Sequence, residues 1–180
     1  MMNSRNSRFT TGTILLIILL VGFSFDPPPR FVYPMEGYYA LAGTFGELRP
    51  NHFHGGIDIK TNRKIGVPIK AVADGYVFRV MKKTYGFGNA VYLKHNDGTF
   101  TAYAHLSRFT DELEAFVYNA QFTNQKFYAN LFPEANRFPV KQGDVIGYVG
   151  STGLATGPHV CFRFWKNGKQ VDPFKQKLPE

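Results

Sequence analysis

The seventeen residues AVYLKHNDGTFTAYAHL, Ala90 to Leu106, restrict the fold most, because they alternate in character on both sides of one turn dipeptide. Alternation with a period of two is the mark of a half-buried strand, and Asp-Gly between two such runs is a hairpin signal. With Asp97-Gly98 as a two-residue turn, Asn96 faces Thr99, Lys94 faces Thr101, Tyr92 faces Tyr103 and Ala90 faces His105. Thr99, Thr101, Tyr103 and His105 then share a polar-aromatic face, and Phe100, Ala102 and Ala104 share the other. VPIKAVADGYVFRVMKK repeats the pattern around Asp74-Gly75, and FPVKQGDVIGYVGSTG returns to short strands and glycine turns. Eighteen glycines and eleven prolines in 180 residues fit a mainly β chain with closely spaced turns. The length allows one domain with a proper core.

Between Thr110 and Pro139 the β pattern stops. Leu113, Phe116, Val117, Ala120 and Phe127 recur at helical spacing, and Asp111, Glu112 and Glu114 occupy the first turn, where the helix dipole favours acids. One amphipathic helix from about Asp111 to Gln125 is predicted within an insertion of about 110–139, placed to wall a groove.

The N-terminus reads as an export signal. Arg5 and Arg8 precede ILLIILLVGFSF, Ile14 to Phe25, a run shorter than the ~20 apolar residues of a spanning helix. Residues 1–25 are therefore read as a signal peptide or signal anchor, and DPPPRFVYP as the core of a stiff linker over 26–37 that precedes a domain spanning 38–180. The expected location is the periplasm or cell envelope, as a released protein or one tethered by an uncleaved signal. The formal charge of +8 draws such a chain toward polyanions, and export makes nucleic acid the least fitting of them. The single cysteine forbids an internal disulfide and directs attention to metal or thiol chemistry.

Three clusters carry chemistry. HFHGGIDIK places His54 and Asp58 four residues apart, ~13 Å on an extended strand; Gly55-Gly56 lets the backbone bend and close that gap. His105 ends the long hairpin; alone, it reads equally as a strand histidine bonded to a neighbour. In HVCFRFW, alternation puts His159, Cys161, Arg163 and Trp165 on one face and Val160, Phe162 and Phe164 on a core face. Taken alone, Cys161 is equally a small buried residue.

In their order, HFHGGIDI, IGVPIKAVADGYV, YGFGNAVYLKHNDGTFTAYAHL, VKQGDVIGYVGSTG and TGPHV resemble the lysostaphin/LytM-like zinc endopeptidases, metallopeptidase family twenty-three. The resemblance covers about Gly43 to Pro173, the insertion excepted. It implies a twisted antiparallel sheet with an open active-site groove, Zn²⁺ as cofactor, and peptide cross-links of peptidoglycan as substrate. It implies His54 and Asp58 as metal ligands, and His105 and His159 as the catalytic pair, with His159 as base and His105 as stabiliser. The family's third ligand is a histidine, and this chain has Cys161 in that place. Thiolate is a good zinc ligand, but it removes the one net positive charge that two imidazoles and a carboxylate leave on the ion, so a slower enzyme is expected. Tyr92, Tyr103 and Arg163 are candidate contacts to the stem peptide. The other reading is a weak or inactive module that binds cell wall or activates another wall hydrolase, alone or within a membrane complex.

Overall fold

Each alternating run becomes a strand, and the strands assemble by antiparallel pairing alone. The computed structural model describes residues 31–38, 40–176 and 178. In chain order the elements are β1 (Leu41–Gly43), β2 (Ile57–Lys60), β3 (Pro68–Lys70), β4 (Gly75–Lys82), β5 (Asn89–His95), β6 (Phe100–Phe109), α1 (Asp111–Asn124), β7 (Ala129–Leu131), β8 (Pro139–Val140), β9 (Val145–Val149), β10 (His159–Lys166) and β11 (Lys169–Val171). A short 3₁₀ turn, Pro173–Gln176, follows. The sheet runs β1-β2-β10-β6-β5-β4-β7, with β11 beside β10, β8 beside β4, and β9 bridging β3 and β6. This is the mainly β, open antiparallel architecture expected, with one helix.

Two faces divide the work. Ile57, Ile59, Val91, Leu93, Val160, Phe162 and Phe164 are fully buried on one side, the single large core. The other side is open, and Met81, Ala90, Ala104 and Cys161 form a small second cluster there. β10 alternates between the two sides as its sequence predicts.

The central hairpin differs from its predicted register by one residue. Lys94 pairs with Phe100, Leu93 with Thr101, Tyr92 with Ala102 and Val91 with Tyr103. The loop has three residues, Asn96 to Gly98, because Gly98 takes φ +80° and the Asp97 carboxylate accepts from both the Thr99 amide and hydroxyl. The faces also exchange roles: Thr101 and Tyr103 point into the core and the alanines into the open side. The polar atoms survive burial because they bond one another. The His95 ring meets the Thr101 hydroxyl, Thr101 donates to the Tyr103 oxygen, and that oxygen accepts from the Val72 amide. Tyr103 has no exposure, so it is a core residue and not a substrate contact.

Two other expectations change. Phe31, Tyr33 and Met35 are buried in the core, and the Val32 and Lys70 amides bond to Val72 and Pro34 carbonyls. The domain thus includes at least residues 31–37 of the expected linker. Residues 1–30, and with them the expected signal, lie outside the described residues. The helix forms where predicted, but its Leu113 and Val117 sit in the main core. No residue of 110–139 lines the cleft described below. The helix therefore braces the sheet and does not wall the groove. Phe127 lies beyond its end, almost wholly exposed. Leu113→Ala should cost about 2–4 kcal/mol in denaturant unfolding, with metal stoichiometry unchanged in the folded protein.

Candidate metal centre

The site is built by the register of β2 on β10. Asp58 stands directly opposite Cys161, and Lys60 opposite His159, so carboxylate and thiol rise side by side from the open face. His54 precedes β2 and is brought back over it by Gly55 and Gly56. A Cβ on Gly56 would come within 2.4 Å of the Phe162 carbonyl oxygen, so only glycine allows the chain to press this close to β10. The result places His54 Nε2 at 3.2 Å from Asp58 Oδ1 and 3.4 Å from Cys161 Sγ.

The remaining two histidines arrive by different routes. His159 opens β10, and its Nε2 lies 3.7 Å from Asp58 Oδ1. His105 reaches the open face because its backbone has φ +66° at a register shift between β5 and β6. Simple alternation would have sent it into the core. That bulge re-aims the side chain, and the His105 and His159 rings meet at 4.7 Å between centroids.

Every one of the three rings is oriented through its far nitrogen. His54 Nδ1 bonds to the Thr44 carbonyl at 3.0 Å, His105 Nδ1 to Thr152 at 2.8 Å, and His159 Nδ1 to Gly157 at 2.8 Å. A carbonyl only accepts, so each Nδ1 carries a proton and each ring turns its Nε2 toward the cluster. Thr152 is held in turn by a backbone crossing at Gly88 and Gly153, both in left-handed conformations with backbone inside 2.7 Å of a notional Cβ. Arg49 donates to Asp58 Oδ2 at 2.9 Å. That bond leaves Oδ1 buried with no hydrogen-bond partner.

The chemistry of this group fits a cation. One nitrogen, one oxygen and one sulfur from His54, Asp58 and Cys161 all lie within 4.8 Å of one another, and the orphaned Oδ1 points among them. These are the donor types and the number that a catalytic zinc site takes from a protein. Protonation tells the same story. Burial alone would depress the His54 imidazole, yet Asp58 and Cys161 overcome it and raise the ring from 6.5 to about 9. Burial likewise opposes charge on Asp58, but the hydrogen bond and charge of His54 bring it down to about 2. Without an ion, then, a proton occupies this pocket of negative charge. For His105, burial is the main cause of a lowered value, aided by His159 and Arg163, so that ring is neutral at neutral pH.

A cleft of about 310 Å³ opens over the cluster, lined also by Arg49, His52, Phe87, Leu154 and Arg163. The structure thus brings together His54, Asp58, His105, His159, Cys161 and Arg163, keeps Tyr92 on the same face, and withdraws Tyr103. Arg49, Thr44, Phe87 and Thr152 are functional neighbours that the sequence motifs do not single out. Arg49, in GELRPNHFH, has a legible signal as the lone cation close before two candidate ligands; backbone carbonyls leave none.

On an open antiparallel sheet, this three-donor cluster with two attendant imidazoles forms a candidate metal centre. The model of peptidase family M23 matches residues 52–123 and 124–173, and the chain belongs to that family. It is 37% identical over 147 residues to a DD-carboxypeptidase/endopeptidase of Neisseria meningitidis, covering 79% of this chain and 28% of that protein. It is 32% identical to lysostaphin of Staphylococcus staphylolyticus, covering 70% and 21%. The chain thus spans about a quarter of the length of such relatives. Among solved structures, a point mutant of the catalytic domain of the M23 protein EnpA of Enterococcus faecalis superposes with a TM-score of 0.56 at 28% identity, covering 80% of this chain and 95% of that one. A zinc-containing peptidase of Vibrio cholerae gives 0.61 at 28%, covering 83% and 41%.

Because His54 holds a proton below about pH 9, an incoming ion must displace it, whereas Asp58 is already ionised above about pH 2. Apparent zinc affinity should therefore rise by at least ~tenfold per unit from pH 6 toward 9. Competition against a chromophoric chelator at several pH values measures this slope, and a flat profile contradicts the ligand set.

Proposed function

We propose that this chain is an exported zinc endopeptidase that hydrolyses peptide cross-links of peptidoglycan, with Cys161 as a metal ligand beside His54 and Asp58. The observation that carries the reading is the buried Asp58 Oδ1, 3.2 Å from the His54 ring, in a set of nitrogen, oxygen and sulfur donors all within 4.8 Å of one another. A Vibrio cholerae relative, 33% identical over 116 residues and named as a peptidoglycan DD-endopeptidase, supports the substrate, and the basic charge suits an anionic wall. Location in the periplasm or cell envelope belongs to the same proposal and follows from the apolar N-terminal run.

A bound zinc supplies electrophilic polarisation of the scissile carbonyl and acidifies the attacking water. The protein does the rest. Arg49 and Thr44 fix the ligand orientations through Asp58 and His54. His159 takes the proton, because its Nδ1–H is committed to the Gly157 carbonyl and its Nε2 faces the cluster, 3.7 Å from Asp58 Oδ1. His105 stands beside His159, rings 4.7 Å apart, with its Nδ1 proton committed to Thr152. Its Nε2 must gain a proton before it can donate, so its stabilising role at the carbonyl or leaving amine follows proton delivery into the site.

Purified protein should hold one equivalent of zinc, and a chelator should stop wall digestion. His54→Ala should lose the metal. His105→Ala and His159→Ala should keep it while losing roughly 10²–10⁴ in rate. Cys161→His should retain zinc and sustain or raise turnover, since it restores a positive charge to the ion. A folded, metal-free and inactive wild type would instead favour the wall-binding or hydrolase-activating reading.

A further inference from the structure

Two residues along each strand from the ligand row, a second row of side chains crosses the same open face. The pairing sets Arg79 opposite Tyr92, Tyr92 opposite Ala102, and Ala102 opposite Arg163. Rows on one face are ~7 Å apart and neighbouring strands ~4.8 Å apart. The second row therefore runs ~14 Å across four strands, alongside Asp58 and Cys161. Between Tyr92 and Arg163 only the Ala102 methyl rises from the sheet, and it is covered where the Tyr92 and Trp165 rings come within 6.3 Å of each other. Phe100 and Trp165 pair in the third row, and Arg163 lines the cleft over the ligand cluster.

The two arginines have charge to spare. Among the described residues neither is within ion-pair distance of a carboxylate. Arg163 lies 4.4 Å above the Phe87 ring, and its Nε is buried with no hydrogen-bond partner. Arg79 lies over Tyr92 at 4.9 Å and over Phe132 at 5.3 Å, with Nε donating to Asn130 at 2.7 Å. Stacking fixes a guanidinium plane without neutralising it. Asp58, the acid of the adjoining row, is committed to Arg49 and the ligand cluster. A buried donor left unpaired is unfavourable, and an arriving acceptor relieves it.

We propose that Arg163 and Arg79, with Tyr92 between them, form an anion-recognising subsite that takes a carboxylate of the peptide substrate next to the bond being cut. The proposal rests on the endopeptidase reading and adds to it the substrate feature selected. The peptide lies in the cleft that Arg163 lines, with its scissile bond at the ligand row and a free carboxylate one row away. Arg163 grips both carboxylate oxygens through its planar fork, and Arg79 supplies the second cation. An amidated peptide offers the same shape without the charge.

Trp165 is the only tryptophan of the chain and lies 6.3 Å from Tyr92, so its fluorescence reports occupancy. The probes are a synthetic cross-linked stem peptide with free side carboxylates and the same peptide with those groups amidated. Each is titrated into the full chain after chelator treatment, then assayed for cleavage after zinc is restored. The acidic peptide should bind at least ~tenfold tighter than its amide, with the gap shrinking as salt rises. Arg163→Met and Arg79→Met should each close most of that gap, and Arg163→Lys should restore only part of it. Equal binding of the two peptides, binding of neither, or a gap that survives both Met variants overturns the subsite. If Arg163→Met does not fold, the Arg79→Met result decides. Discrimination in binding without any zinc-dependent cleavage leaves the subsite standing and removes the endopeptidase reading. Cleavage of both peptides with equal kcat/KM removes the subsite and leaves the enzyme.

Discussion

Asp58 facing Cys161 across the β2–β10 ladder is the constraint from which the functional side of this molecule follows. Antiparallel pairing brings two donors from positions more than a hundred residues apart into neighbouring places on one face. It needs no loop to hold them there. Because side chains alternate strictly along a strand, the same register that turns Cys161 toward the ligand cluster buries Val160 and Phe162 on the reverse side. A slip of one residue would send the thiol into the core and a phenylalanine into the site. Core packing and donor geometry are thus one choice, and the apolar face enforces the polar one.

Charge is the second level of organisation. Asp58 is held from two sides, by Arg49 on one oxygen and by the histidines near the other. Each histidine is pinned by a backbone carbonyl, so three rings converge without a second carboxylate to orient them. That economy suits a cluster that already contains a carboxylate and a thiol. More negative charge would draw a proton to His54 still more strongly and make it a poorer ligand. The cationic groups around the cleft, Arg49 and Arg163, work in the opposite direction.

The sequence makes most of this legible. HVCFRFW tells the faces of β10 correctly, and the His54–Gly55–Gly56–Asp58 run carries its own bend. His105 reaches the site by a route that alternation misreads: counting from Thr99 assigns it a polar face shared with Tyr103, whereas Tyr103 is core and His105 leaves that face through a left-handed backbone. A bulge is a single residue out of step, and nothing local in TAYAHL announces one. Tyr103 and Thr101 read as surface groups because a sequence shows polarity, not partners; inside, His95 and the Val72 amide satisfy them. The stretch after the prolines reads as linker because its buried aromatic rings find their partners only in three dimensions. Phe31, for instance, packs edge-on against Phe164 at 4.9 Å.

Small residues are what make the open face usable. Ala90, and Ala104 which alternation assigns to the core, floor the ligand row, so the donors can gather close to the sheet where larger residues would stand in the way. On the core side the same strands carry Val91, Leu93, Thr101 and Tyr103, all fully buried. Small residues on one face and large ones on the other give a sheet that is rigid from behind and hollow in front. Two of the three donors, Asp58 and Cys161, sit on paired strands, so their spacing is set before any ion or peptide arrives. The hollow lets chemistry happen on a surface that packing alone would have filled.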